Sequence, residues 1–358
     1  MSFTLDICNE QDLRKIIPAY HQRMDRRIQS RLERYCLEYI GHAALVCIAF
    51  AHPSLGYYYV ALNDKTLLSV TPEALNISVP VKPCQPTFSD GQLIRLLAEC
   101  NACSLYFFIP GIGHGLRINA FAEQNEQINS DESKHIIKFN VLSAYFQCSR
   151  AAVRAGLWET VQIADIQKKS FAATDTVTLT DDAIEMIALA PYLLLLSRNE
   201  QQTTELSPRG GQAGFVKVYD NHTLLMPEWP GNKVAISLRN ILKQKSVSLS
   251  FIIPGCEFTL TVQGEASLTS DSRVLSGMAI KNKAPLLAIA VLIKQVTIQQ
   301  EASLSSALLW QAANHKDARQ LSAFSKVMAE HINGKGLLGK ASRPLVDSVI
   351  RHDLKNLY

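Results

Sequence analysis

The sequence predicts a β-rich α+β protein made of two similar barrel units in tandem. Three observations carry this. The chain has 358 residues, more than one hydrophobic core usually serves, so two domains are expected. The stretch CSLYFFIPG (103–111) lies over VSLSFIIPG (247–255) at an offset of 144, and the same offset pairs Leu116 with Leu260, Ile118 with Val262 and Ala122 with Ala266. Stretches such as FIIPG…FTLTVQGEASL also alternate apolar and polar residues, as an antiparallel barrel wall does.

Each unit opens on a helical pattern. In the first it is RRIQSRLERYCLEYI; in the second it is TDDAIEMIAL, with Thr180 as the expected N-cap. Apolar strands follow. YIGHAALVCIAF (39–50) resembles MIALAPYLLLLS (186–197), and TLL recurs at 66–68 and 223–225. Next come one helix and further strands with Gly-Pro punctuation. At the end of each unit, AYFQCSRAAVRAGLW (144–158) lies over VTIQQEASLSSALLW (296–310). The longest apolar runs, 187–196 and 284–293, are half of the roughly 20 residues a membrane span needs and read as buried strands. The expected divisions are a first unit over 1–165, a polar linker over 166–180, a second unit over 181–330 and a basic tail over 331–358. With Gly334, Gly336 and Gly339, the tail reads as a flexible arm or a docking segment.

Composition narrows the functional classes. Apolar residues make up 47% and charged residues 19%, which fits a packed globular chain rather than a disordered one. A scattered net charge of +4 does not point to nucleic acid. The opening MSFTLDICNEQDLRKII lacks the apolar stretch of an export signal, so a cytoplasmic protein with no membrane contact is expected. The eight cysteines then read as reduced thiols, and Cys100-x-x-Cys103, with no second ligand pair nearby, reads as packing. The nine histidines show no metal-like spacing, and His114 in PGIGHG reads as a loop residue.

The segment ELSPRGGQAGFVKVYDNHTLLMPEWPGNK carries the most chemistry. Asp220-Asn221 is a good hairpin tip. Strands paired symmetrically about it would set Arg209 opposite Asn232, beside Lys233. The next stretch has apolar residues at helical spacing, with Asn232 as its N-cap, so free backbone N–H groups would face the same corner. Two cations and a helix N-terminus are what a phosphate needs. Gly210, Gly211 and Gly231 would let backbone approach a ligand closely. The residues alone also fit a plainer reading, in which SPRG is a bulge, PGN a turn and Lys233 a solvated side chain.

The run SPRGG…GFVKVYDNHTLLMPEWPGNKVAISLRNIL…SLSFIIPG…TLTVQGEASLTSD resembles the pyridoxamine 5′-phosphate oxidase-like FMN-binding split-barrel superfamily, in particular its probable FMN-dependent enzymes. AYFQCSRAAVRAGLW is similar to the block that closes that domain. The resemblance covers about residues 25–160 and 180–312. It implies two tandem split barrels forming a pseudo-dimer within one chain, because relatives are homodimers with FMN in grooves built by both partners. It also implies one surviving site. In the first unit HPSLG (52–56) replaces SPRGG, with Ser54 at the arginine position. Pro86, Thr87, Phe88 and Ser89 replace PGNK there, behind an insertion holding Pro80, Lys82 and Pro83. In the second unit Gln300, Ala302 and Ser306 replace Cys148, Arg150 and Arg154, while Trp310 keeps the place of Trp158.

The composite site implied takes Ser207, Arg209, Gly210, Gly231, Asn232, Lys233 and Ser237 from the second unit, and Gln147, Arg150, Arg154 and Trp158 from the first, with Trp229 or Trp158 against the flavin ring. Gly211, Thr261 and Gln147 stand where the subgroup has Asp, Arg and His, while Arg117 is kept in the first unit. The activity implied is an FMN-dependent oxidoreductase acting on a small molecule, with a further homodimer as an option. The alternatives are a non-catalytic flavin, haem or other anionic-ligand binder, and a cofactor-free interaction scaffold.

Overall fold

The computed structural model describes residues 3–50, 56–80, 100–124, 134–159, 166, 168–201, 203–231 and 233–358. Two antiparallel sheets share one connectivity. The first contains β1 (Leu45–Phe50), β2 (Tyr57–Ala61), β3 (Leu67–Val70), β4 (Ala74–Pro80), β5 (Ala102–Phe108), β6 (Gly115–Gln124) and β7 (Lys134–Gln147), in the order β2-β1-β5-β6-β7-β4-β3. The second contains β9 (Tyr192–Arg198), β10 (Thr204–Gly210), β11 (Lys217–Asp220), β12 (Thr223–Glu228), β13 (Ser246–Ile252), β14 (Phe258–Thr269) and β15 (Leu287–Gln300), in the order β10-β9-β13-β14-β15-β12-β11. β8 (Thr174–Thr176) adds to β15, so the polar stretch expected as a linker is partly strand.

The apolar runs are explained by burial on both faces. Along β1, Val46, Ile48 and Phe50 enter the first lobe's core, while Leu45, Cys47 and Ala49 enter a cluster between the lobes. Along β9, Leu193 and Leu195 enter the second lobe's core, while Tyr192, Leu194 and Leu196 face the same interlobe cluster. A strand sends successive side chains to opposite faces, so only a strand between two cores is apolar throughout. Buried hydroxyls fix the docking. Tyr57 donates to the Ser248 carbonyl (2.7 Å), and Tyr59 shares a hydrogen bond with Ser250 Oγ (2.7 Å).

Helices join the lobes at their edges. α1 (Glu10–Ile16), capped by Asn9, sends Leu13 into the second lobe's core. α2 (Arg34–His42) leads the first lobe. It is shorter than the sequence pattern suggests, because Gln29 exchanges backbone hydrogen bonds with Ala144 and holds the chain extended there. α3 (Arg150–Arg154) packs on β10. α4 (Asp181–Leu189) leads the second lobe, with Thr180 accepting from the Ala183 N–H as expected. α5 (Ile236–Lys243) follows β12, and α6 (Ser272–Ser276) follows β14. α7 (Ala302–Ser306) packs on β2 as α3 packs on β10. α8 (Phe324–Asn333) sends Val327 and Met328 into the first lobe's core, and α9 (Leu337–Lys355) packs on α8.

Strand registers correct part of the expected alignment. β5 and β13 keep the offset of 144, and β1 and β9 pair with them equivalently. Following those pairs outward, Val46↔Val60 corresponds to Leu193↔Arg209, so Val60 holds the arginine's place in the first lobe. The expected counterpart Ser54 lies outside the described residues, as do Pro86–Ser89, Lys82 and Pro83. Pro80 ends β4. β3 occupies the edge position of β11, so the two TLL stretches fall on non-equivalent strands, β3 and β12.

Candidate functional site

A cavity of about 320 Å³ lies between the lobes, walled by β10, the turn after β12 and the start of α5 from one side, and by β7 and α3 from the other. The hairpin expected to join Arg209 to Lys233 does not form. β11 pairs with β12 as Lys217↔Leu225, about a tip at Asn221-His222, whereas β10 lies at the opposite edge of the sheet. The sheet instead curls so that β10 faces the end of β12 and the start of α5. Arg209 Nη2 reaches Ser237 Oγ at 2.5 Å and Glu228 Oε2 at 3.2 Å. Arg209 and Lys233 thus line one cavity through the curl of the sheet rather than through strand pairing.

The helix start also differs from expectation. α5 begins at Ile236 after Ala235, which is left-handed (φ 54°) and offers no capping side chain. Lys233 is left-handed too (φ 62°). Left-handed backbone costs a non-glycine residue on the order of 1 kcal/mol or more and interrupts a helix, so the helix cannot begin at residue 233. Asn232, the expected cap, lies outside the described residues. Lys233 is exposed on the cavity wall, and Ser207 and Ser237 are buried in it.

The first lobe supplies the facing wall. Arg150 Nη1 and Arg154 Nη2 both donate to the Pro230 carbonyl, at 2.7 and 3.0 Å. The PEWPGNK turn thus presents one oxygen to both arginines of the other lobe. Gln147, Tyr145 and Cys148 line the same wall, with Arg117 behind them. Arg117 is 2% exposed, pairs with Glu205 at 2.5 Å and lies over the Tyr145 ring. Burial lowers the pKa of Arg154 from its ordinary value.

Gly210 acts differently from expectation, since a Cβ there would lie 2.1 Å from the Ala151 carbonyl oxygen. Its missing side chain admits α3, whereas a Cβ at Gly231 would meet only the Trp229 carbonyl oxygen, at 3.9 Å. Trp158 does not line the cavity. Its indole N–H donates to the Ile112 carbonyl (2.9 Å), and its ring packs edge-on against His315. Trp229 does line it, 4% exposed. The sequence reading missed three carboxylates, Glu228, Glu205 and Asp353, although Glu205 and Glu228 both lay in the stretch ELSPRGG…PEWPGNK already singled out.

Charge and hydrogen bonding define what this cavity accepts. Five cations (Arg117, Arg150, Arg154, Arg209 and Lys233) face the three carboxylates that pair with them, an excess of two positive charges. Four buried donors on lining residues, Nε of Arg117, Arg150 and Arg209 and Nε1 of Trp229, have no hydrogen-bond partner among the described residues. Unpaired buried donors are costly, and a dianion with several acceptor oxygens satisfies both the charge and the donors. Among the described residues no group of His, Cys, Asp and Glu could hold a metal ion, and no helix is long and apolar enough to cross a membrane.

No family model and no curated protein matches this chain. It is distantly similar to several solved structures. A candidate pyridoxamine 5′-phosphate oxidase from Lactobacillus delbrueckii is 17% identical, over 35% of this chain and 98% of that one (TM-score 0.29). The FAD-binding protein from Mycobacterium smegmatis is 16% identical over 35% and 98% (TM-score 0.26). HutZ, the haem storage protein from Vibrio cholerae, is 16% identical over 34% and 94% (TM-score 0.25). Each match spans about a third of this chain.

Proposed function

We propose that the protein is an FMN-dependent oxidoreductase acting on a small molecule. It holds one flavin per chain between two tandem split-barrel units descended from a duplicated ancestor. The observation that carries this reading is the interlobe cavity, where cations of both lobes leave an excess of two positive charges, the complement of a phosphate dianion. The opposite pairing of elements has Val60, Ala302 and Ser306 in place of Arg209, Arg150 and Arg154, which supports one site rather than two. Arg209, Lys233 and Ser237 would take the phosphate with Arg150 and Arg154 across from them, and Trp229 would border the ring. The bound flavin would supply the redox chemistry. These side chains hold and orient it, and the lobe contact shields it from water.

Flavin fluorescence titration tests the reading. One equivalent should bind per chain, and Arg209→Ala and Arg154→Ala should each weaken binding at least about tenfold, the loss of a charge-assisted contact. A nicotinamide donor should bleach the bound flavin. Two equivalents per chain, or indifference to Arg154→Ala, would remove the composite site.

A further inference from the structure

The end of α9 and the residues after it lie on the arginines of the cavity. Asp353 pairs with Arg150 Nη2 at 2.5 Å, and the Leu357 carbonyl accepts from Arg154 Nε at 2.7 Å. The Tyr358 ring stands edge-on to Trp229, 4.9 Å between centroids, and lies under the Arg154 guanidinium. Lys283 of the second lobe donates to the Tyr358 carbonyl at 3.0 Å. The segment 353–358 therefore ties down both first-lobe arginines and covers the cavity-lining tryptophan. It presents a carboxylate and a flat ring, the two features that an aromatic ligand with an anionic group would bring.

The rest of α9 is held lightly. Gly339 is the one buried residue among its 19, and Leu338, Leu345 and Val349 are exposed. The joint to α8 contains Gly334, left-handed with φ 80° and no atom within 4 Å of a Cβ built there. An element with so little burial detaches at low free-energy cost.

We propose that residues 353–358 form a strap that competes with the anionic ligand for Arg150 and Arg154, so that ligand entry and strap release are one equilibrium. The proposal rests on reading the cavity as an anion site. Linkage makes the effect reciprocal. The strap lowers apparent affinity by the fraction of molecules in which it is closed, and bound ligand shifts the chain toward the open form by the same factor.

The test uses the full chain, with FMN and inorganic phosphate as probes. Asp353→Asn and Tyr358→Ala should each tighten FMN binding about three- to tenfold, as expected for removing one moderate competing contact. Asp353→Asn should do the same for phosphate. Saturating ligand should speed amide hydrogen exchange across 350–358 in the wild-type protein. Unchanged or weakened binding in both variants, or slower exchange on ligand addition, would overturn the strap. The probes separate this idea from the flavin reading. Phosphate that binds and frees the segment while FMN does not bind sustains the strap and ends the flavin reading. FMN that binds without loosening the segment does the reverse. If neither binds, both readings fall.

Discussion

The two lobes share a strand order and differ in where they carry charge. Positions that fill the cores are alike in kind: Leu116 and Leu260, Ile118 and Val262, Ala122 and Ala266. Positions that carry charge in one lobe are not. Arg209, Arg150, Arg154 and Arg117 on one side correspond to Val60, Ala302, Ser306 and Thr261 on the other. A core needs only apolar volume in the right alternation, so it tolerates many sequences. A buried charge must be paired and hydrogen-bonded or it destabilises the fold. Arg117 and Arg209 pair with Glu205 and Glu228, and Arg150 and Arg154 donate to the Pro230 carbonyl; the uncharged residues at the equivalent positions need no such partners. The pair of lobes shows that fold and site are separable layers of one sequence.

Substitutions at equivalent positions sharpen this comparison. The largest effect is expected from Arg117→Leu, which leaves Glu205 unpaired and should cost about 3–5 kcal/mol in chemical denaturation. Thr261→Val at the matching position should cost about 1 kcal/mol or less. If the two cost the same, charge is not what distinguishes the lobes. Gly210→Val drives a side chain against the Ala151 carbonyl and should cost about 3 kcal/mol in thermal unfolding. Ala61, which holds Gly210's register position in the first lobe, should accept the same change for under about 1 kcal/mol.

A further difference between the lobes is pH-dependent. His114 lies among the rings of Tyr39, Phe146 and Phe324, and burial pushes its pKa down to about 4. Its stabilising contribution is complete above the ordinary histidine value of 6.5. As pH falls from there toward 4 the unfolded chain takes the proton first, and stability falls by about 3 kcal/mol. His114→Phe, which copies Phe258 of the second lobe, should flatten the slope of unfolding free energy between pH 6.5 and 4. A slope that persists in this variant would place its origin elsewhere.

Much of this was legible in the sequence because repetition is a local signal. The paired stretches at 103–111 and 247–255 became β5 and β13, and the closing blocks became α3 and α7 with the strands before them. Arg209 and Lys233 were identifiable as cations near a turn, but the route that unites them was not. A hairpin is the shortest path sequence can suggest, whereas barrel closure depends on the curl of a whole sheet. Val60 was hidden for a similar reason, since a shared Pro and Gly drew HPSLG onto SPRGG, and only pairing with β1 fixes the register. The start of α5 turned on the left-handed backbone of Lys233 and Ala235, conformations that neither residue type advertises. The basic, glycine-containing tail had the composition of a solvated arm; its docking rests on Asp353 and Tyr358, which meet their partners only once both lobes are in place.

Arg150 and Arg154 hold the Pro230 carbonyl across a seam whose two banks belong to one polypeptide. A binding cleft shared by separate subunits comes apart when they are diluted below their dissociation constant. Here both banks belong to one chain, so dilution does not separate them. If the seam takes the ligand proposed above, its occupancy should not depend on the concentration of the protein.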